Sequence, residues 1–211
     1  MVVVDAVLKR LELVKADLGI TKEANVVDAD TSKALSDVFS LIVQANRQLN
    51  LLLDRRFAPS DVYQQVTLAI SCASLLLAHF PDVKRIPLEP EYVGGKRPRD
   101  VFQRLLTCFE MVTQLADVSG VKVLHLESGA IKLDDVTPSD VYDVASLLVS
   151  ELAQIHVLMD SDQEPVPPYE PGRMFPSHVF QRAGILEAQL VEMNKRVRES
   201  PDWLQPSSDR Q

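Results

Sequence analysis

The sequence predicts an all-α protein, a bundle of about six helices built from an internal repeat of ~39 residues. Three observations predict it. Pro59-Ser60-Asp61-Val62-Tyr63 recurs as Pro98-Arg99-Asp100-Val101-Phe102, Pro138-Ser139-Asp140-Val141-Tyr142 and Pro176-Ser177-His178-Val179-Phe180, with starts 39, 40 and 38 residues apart. A fifth copy, Ser36-Asp37-Val38-Phe39, lacks the proline. Second, an apolar stripe follows each start. Counted from the proline, offsets 3, 7, 10, 14 and 17 are apolar in every copy, as in Val141, Ala145, Leu148, Leu152 and Ile155. Steps of four and three keep these positions on one helix face, and period-two strand alternation does not fit. Third, glycine is scarce, at 7 residues, and the 13 prolines fall almost entirely between the periodic segments. That disfavours a turn-rich β-sandwich.

The first helix is expected over 3–18, on the stripe Val4, Val7, Leu11, Val14 and Leu18, with Gly19 as its stop. The second spans 32–55, where Val38, Ile42, Ala45, Leu49 and Leu52 carry the stripe. The remaining four are expected over 59–80, 98–118, 138–160 and 176–199. Each opens on proline, whose missing N–H costs nothing in a first turn. Asp in that turn faces the positive end of the helix dipole. Thr137 with Asp140 resembles a capping box, and serine at offset one is the alternative cap in other copies. A single helical domain over 1–200 is expected, with 201–211 as a frayed tail that is polar apart from Trp203 and Leu204.

The connections divide the possible architectures. Arg55-Arg56-Phe57-Ala58 is short enough to force antiparallel neighbours. The later links are long enough to run back along a helix of roughly 32 Å and start the next one parallel to it. Val121 to Glu127 alternates like a strand, and Gln163 to Tyr169 is proline-rich and extended. The bundle is the favoured arrangement, and an open α-solenoid-like stack is the alternative.

Composition excludes several functions. The net charge of −8 opposes a nucleic-acid partner. The basic residues Lys84, Arg85, Lys96, Arg97, Arg99 and Arg104 are diluted by Glu89, Glu91 and Asp100. The longest apolar run, Leu68 to Phe80, is too short and interrupted for a transmembrane segment. Cys72 and Cys108 lie in helical segments without metal or redox spacing, and are expected as buried free thiols. The opening Met1-Val2-Val3-Val4-Asp5 lacks the features of a leader. A cytoplasmic location is expected, with an exported or periplasmic domain whose leader has been removed as the alternative.

No cofactor is expected. No histidine-carboxylate metal motif, nucleophile elbow or phosphate loop occurs, and Gly94-Gly95-Lys96 follows a proline-rich loop rather than a strand. No catalytic residue is assigned. The candidate ligand or partner residues are those where copies differ or aromatics flank the stripe. Asn46 brings polarity where other copies are mostly apolar, and Arg47 belongs to the same polar cluster of the second helix. Tyr63 and Tyr142 sit beside the stripe, and His178 replaces the helix-start Asp. The expected function is that of a non-enzymatic helical interaction or scaffold protein, through a protein partner or self-association. A small-ligand-binding, exported sensory domain is the alternative, and an enzyme with an unrecognised site the third.

Overall fold

The structure, a computed structural model, describes Gly19 and residues 57–123, 133–159, 163–200 and 203–204. The chain divides into two compact units, 1–33 and 34–211, and every described helix lies in the second. Four helices form there: α1 Pro59–Leu77, α2 Pro98–Val118, α3 Pro138–Val157 and α4 Pro176–Glu199. Among the described residues there is no strand, only a 3-10 turn at Leu133–Asp135. The expected segments 3–18 and 32–55, and most of the strand-like segment after Val123, lie outside the described residues. Gly19, the expected stop, has φ 69°, a left-handed conformation that glycine adopts without strain.

All four helices begin at their proline, which is the first helical residue. The cap is the residue before it: Ala58, Arg97, Thr137 or Phe175, rather than the serine after it. In three copies the Asp two residues past the proline accepts the N–H of that cap. Ala58 N donates to Asp61 Oδ2 and Arg97 N to Asp100 Oδ2, both at 2.7 Å, and Thr137 N donates to Asp140 Oδ2 at 2.8 Å. Thr137 completes the reciprocal bond, because its Oγ1 accepts from Asp140 N. Helix α2 ends on Gly120 at φ 67°, with Val121 N bonded to Ala116 O and Gly120 N to Asp117 O. These two bonds are a Schellman motif, which only a residue tolerant of positive φ closes cheaply.

Every stripe position of these four copies, from Val62 to Met193, is at most 3% exposed. The stripes meet in a single core. Helix α1 packs against α3 and α4, and α2 packs against the same two. The helices therefore form a ring in the order α1, α3, α2, α4, which makes α1 and α2 diagonal partners, as are α3 and α4.

The four starts meet at one end. Pro59, Pro98, Pro138 and Pro176, with Val62, Val101, Val141 and Val179, line one apolar cavity of about 20 Å³. Side-chain bonds between helices keep the same level throughout. Gln65 Nε2 of α1 donates to Tyr142 Oη of α3, and Arg182 Nε of α4 donates to Thr67 Oγ1 of α1. Helices that share a start and stay in step are parallel. Each link must then return the full length of a helix before the next proline. The first and third also join diagonal helices, so each crosses a helix that stands between.

Beyond α4, Trp203 does not dangle: its Nε1 donates to Ser119 Oγ at 2.8 Å and its ring meets Phe80 at 5.5 Å. The core makes a direct prediction. Leu148→Ala, at 0% exposure, lowers unfolding free energy by about 2–5 kcal/mol in denaturant titration. Val191→Ala, at 55% exposure, changes it by less than about 0.5 kcal/mol.

Candidate functional site

The aromatic residues four positions past each proline do not share a pocket; they fill successive grooves of the ring. Tyr142 of α3 stacks on Phe57, with centroids 3.8 Å apart, and accepts from Gln65 of α1 at 3.1 Å. Tyr63 of α1 lies under Arg182 of α4, whose Cζ is 5.5 Å from the ring centroid. Phe180 of α4 lies under Arg104 of α2, with Cζ 4.1 Å from the centroid, and Lys96 Nζ sits 4.3 Å from the same centroid. Arg104 also donates to Phe180 O at 2.9 Å and to Glu187 Oε2 at 2.6 Å. In each of these three grooves the residue six past one proline meets the aromatic four past another. The remaining pair in that register, Phe102 and Val144, is apolar and buried. Cation–π contacts of this kind contribute roughly 0.5–2 kcal/mol each.

Of the sequence candidates, Tyr63 and Tyr142 thus occupy different grooves with their rings engaged. The burial of Tyr63 raises its phenol pKa, Arg182 opposes that rise, and a hydrogen bond with Tyr169 adds to it. His178 stands at the start of α4, where its Nδ1 accepts Phe175 N–H at 3.1 Å, as Asp does in the other copies. Its ring lies between Tyr92, at 5.2 Å, and Phe175, at 5.8 Å. Asn46 and Arg47 lie outside the described residues. Half of the basic cluster is engaged within the chain: Arg99 pairs with Asp134, while Lys96 and Arg104 hold Phe180.

The links are where the sequence was least informative and the surface is most distinctive. Gln189 of α4, 1% exposed, directs Nε2 to Arg85 O of the first link at 2.7 Å, to Ser74 Oγ at 2.9 Å and to Ile70 O at 3.3 Å. Further along the same link, Gln181 Nε2 donates to Pro90 O at 2.8 Å, and Lys96 N donates to Ser177 Oγ at 3.1 Å. Gly184 explains itself here. A Cβ at this mid-helix position would sit 2.7 Å from Pro90 Cγ and 3.1 Å from Arg104 Cζ. The glycine lets the link lie directly on α4, at a helix-propensity cost of about 1 kcal/mol. The third link is tied to α1 by Val166 N to Ser71 Oγ at 2.8 Å and by Tyr169 on Tyr63. Ser71, Ser74, Gln181 and Gln189 lie off the stripe, so sequence periodicity passed over them; mid-helix Gly184 was the one available signal.

With their inner sides bonded, the links leave apolar side chains outward. Leu88 is 82% exposed, Val166 71%, Tyr169 65% and Ile86 55%. The first link is anchored mainly on α4 and the third on α1. A second surface feature is an open groove of about 470 Å³ between the later halves of α2 and α4, lined by Met111, Gln114, Val191, Asn194, Lys195 and Arg198, among others. Asn194 Nδ2 is used there, on Met111 O and Leu190 O.

Among the described residues, no group of three His, Cys, Asp or Glu residues is placed to hold a metal ion, and no helix is long and apolar enough to cross a membrane. No family model, curated protein or solved structure matches the chain.

Cys72 and Cys108 are free and buried, as their places in apolar helical segments without metal or redox spacing led us to expect. Burial pushes the Cys72 thiol up to about 11 and raises that of Cys108 further. Unfolded thiols ionise near 8.5. Between that value and about 11 the unfolded chain loses protons that folded Cys72 keeps, so stability falls as pH rises through this window. Thermal melts between pH 8 and 11 are therefore expected to show a steeper alkaline loss for the wild type than for Cys72→Ala. Parallel pH profiles would contradict the assignment.

Proposed function

We propose that this chain is a non-enzymatic interaction or scaffold protein that engages a protein partner, or another copy of itself, through the face built by its links. One observation carries the proposal. Among the described residues, all but three of the exposed large apolar side chains belong to the links, and two of those three, Val118 and Val157, are the last residues of their helices. The helices bury their apolar stripes; the links, anchored by polar bonds on the inside, hold theirs out. Exposed apolar side chains concentrated on anchored links, rather than scattered over the helices, are the raw material of an interaction surface. It is also held in place, so binding loses little ordering entropy.

Six helices generated from one ~39-residue unit are part of the same proposal. Its support is that the four described starts share cap, register and buried stripe. If Leu49 continues the stripe in a fifth copy, Leu49→Ala is expected to cost about 2–5 kcal/mol, as Leu148→Ala does. A loss below about 0.5 kcal/mol would remove that copy from the core.

The interaction reading is tested by sedimentation across a concentration series and by capture from lysate on the immobilised full chain. Wild type is expected to self-associate or to retain a specific protein, and Leu88→Asp is expected to abolish this with an unchanged melt. A wild-type chain that stays monomeric and retains nothing contradicts the proposal.

A further inference from the structure

The third link has a regularity of its own. Pro165, Pro168, Pro171 and Met174 are partly buried, and every residue between them is exposed. Burial therefore repeats every third residue. Neither helix nor strand has that period; polyproline II does, with three residues per turn and about 3.1 Å of rise. Composition agrees, since Pro165, Pro167, Pro168 and Pro171 have φ fixed near the polyproline II value. So does the bonding, because the segment takes its hydrogen bonds from side chains of α1 rather than from itself. The inner edge rests on the bundle. Val166 and Tyr169 form an outer ridge with a spacing of about 9 Å, and Pro167 and Glu170 form the edge beside it.

Resting on the interaction reading above, we propose that this ridge is a preformed polyproline II ligand for a partner domain with an aromatic-lined, basic-rimmed groove. Aromatic grooves take this conformation because it is already ordered and presents side chains at fixed intervals. Val166 and Tyr169, at 71% and 65% exposure, are the side chains available to fill such a groove. The rim follows from charge. Glu164 and Glu170 flank the ridge and are exposed. A basic rim complements these carboxylates. A second copy of this chain, at net charge −8, would bring the same acidic surface to them. The occupant is accordingly a different protein.

The test uses the full chain against purified polyproline II-reading domains of the SH3, WW and EVH1 types, each in a basic-rimmed and an acidic-rimmed example, by biolayer interferometry. At least one basic-rimmed domain is expected to bind, weakening as salt rises, with no binding to its acidic counterpart. Val166→Ser combined with Tyr169→Ser is expected to weaken it by about tenfold or more, and by more than Tyr169→Phe, which removes only the hydroxyl that bonds Tyr63. Pro167→Gly, which removes neither side chain, is expected to weaken it less, by loosening the conformation. Val191→Ser leaves it unaltered. Binding to none of the basic-rimmed domains, or undiminished binding by the double variant, overturns the proposal. Failure here is distinguishable from failure of the interaction reading. If the double variant still captures protein while Leu88→Asp does not, the ridge is excluded and the interaction reading stands. If wild type captures nothing and does not self-associate, both fall.

Discussion

All four described helices start at the same end of one core, and the rest of the molecule answers to that constraint. Parallel neighbours cannot be joined by short turns, because the chain leaves each helix at the wrong end. Every link must cover a helix length of about 30 Å before the next proline. The links are too long to be left in solvent without a large entropy cost, and the helices have side chains off their stripes to hold them. Gln189, Gln181 and Ser177 of α4 and Ser71 of α1 each bond a link backbone. Gly184 removes the one side chain that would push Pro90 away.

Parallel packing also sets an electrostatic problem. Four aligned helices place four positive dipole ends, each worth about half a charge, around one small cavity. Asp61, Asp100 and Asp140 meet it with carboxylates that also tie down the cap N–H. Helix α4 uses an imidazole nitrogen for the same bond, so His178 caps without adding an anion. The shared Pro-x-(Asp/His)-Val-(Tyr/Phe) start is therefore four devices in five residues. Proline sets the first turn, Asp or His closes the cap, and valine seals the apolar end. The aromatic then fills the groove to the next helix.

The helices were legible in the sequence because their causes are local. Proline at the first helical position, an acceptor two residues on and a stripe with steps of four and three are all short-range signals. The starts at 59, 98, 138 and 176 follow from them. Two helices stop sooner than the stripe suggests, at Leu77 and Val157, since apolar residues past those points continue the pattern without continuing the helix. The ring order was not legible, because identical stripes do not say which helix sits beside which. Nor were the roles of Gln189 and Ser71, whose partners lie 104 and 95 residues away. Tyr63 and Tyr142 stood out as aromatics beside the stripe, but only the packing shows that each belongs to a separate groove. The proline-rich character of the third link was visible; which of its edges faces out was not, until burial resolved the three-residue period.

The common start is open to direct measurement by pulsed dipolar spectroscopy on spin labels in a background without Cys72 and Cys108. Labels at Ser60 and Ser139, near the starts of α1 and α3, are expected about 15 Å apart, as neighbouring helices with a common start require. Labels at Ser60 and Val157, near the start of α1 and the end of α3, are expected about 30 Å apart, one helix length. The opposite order, with Ser60 nearer Val157 than Ser139, would show antiparallel packing and contradict the account.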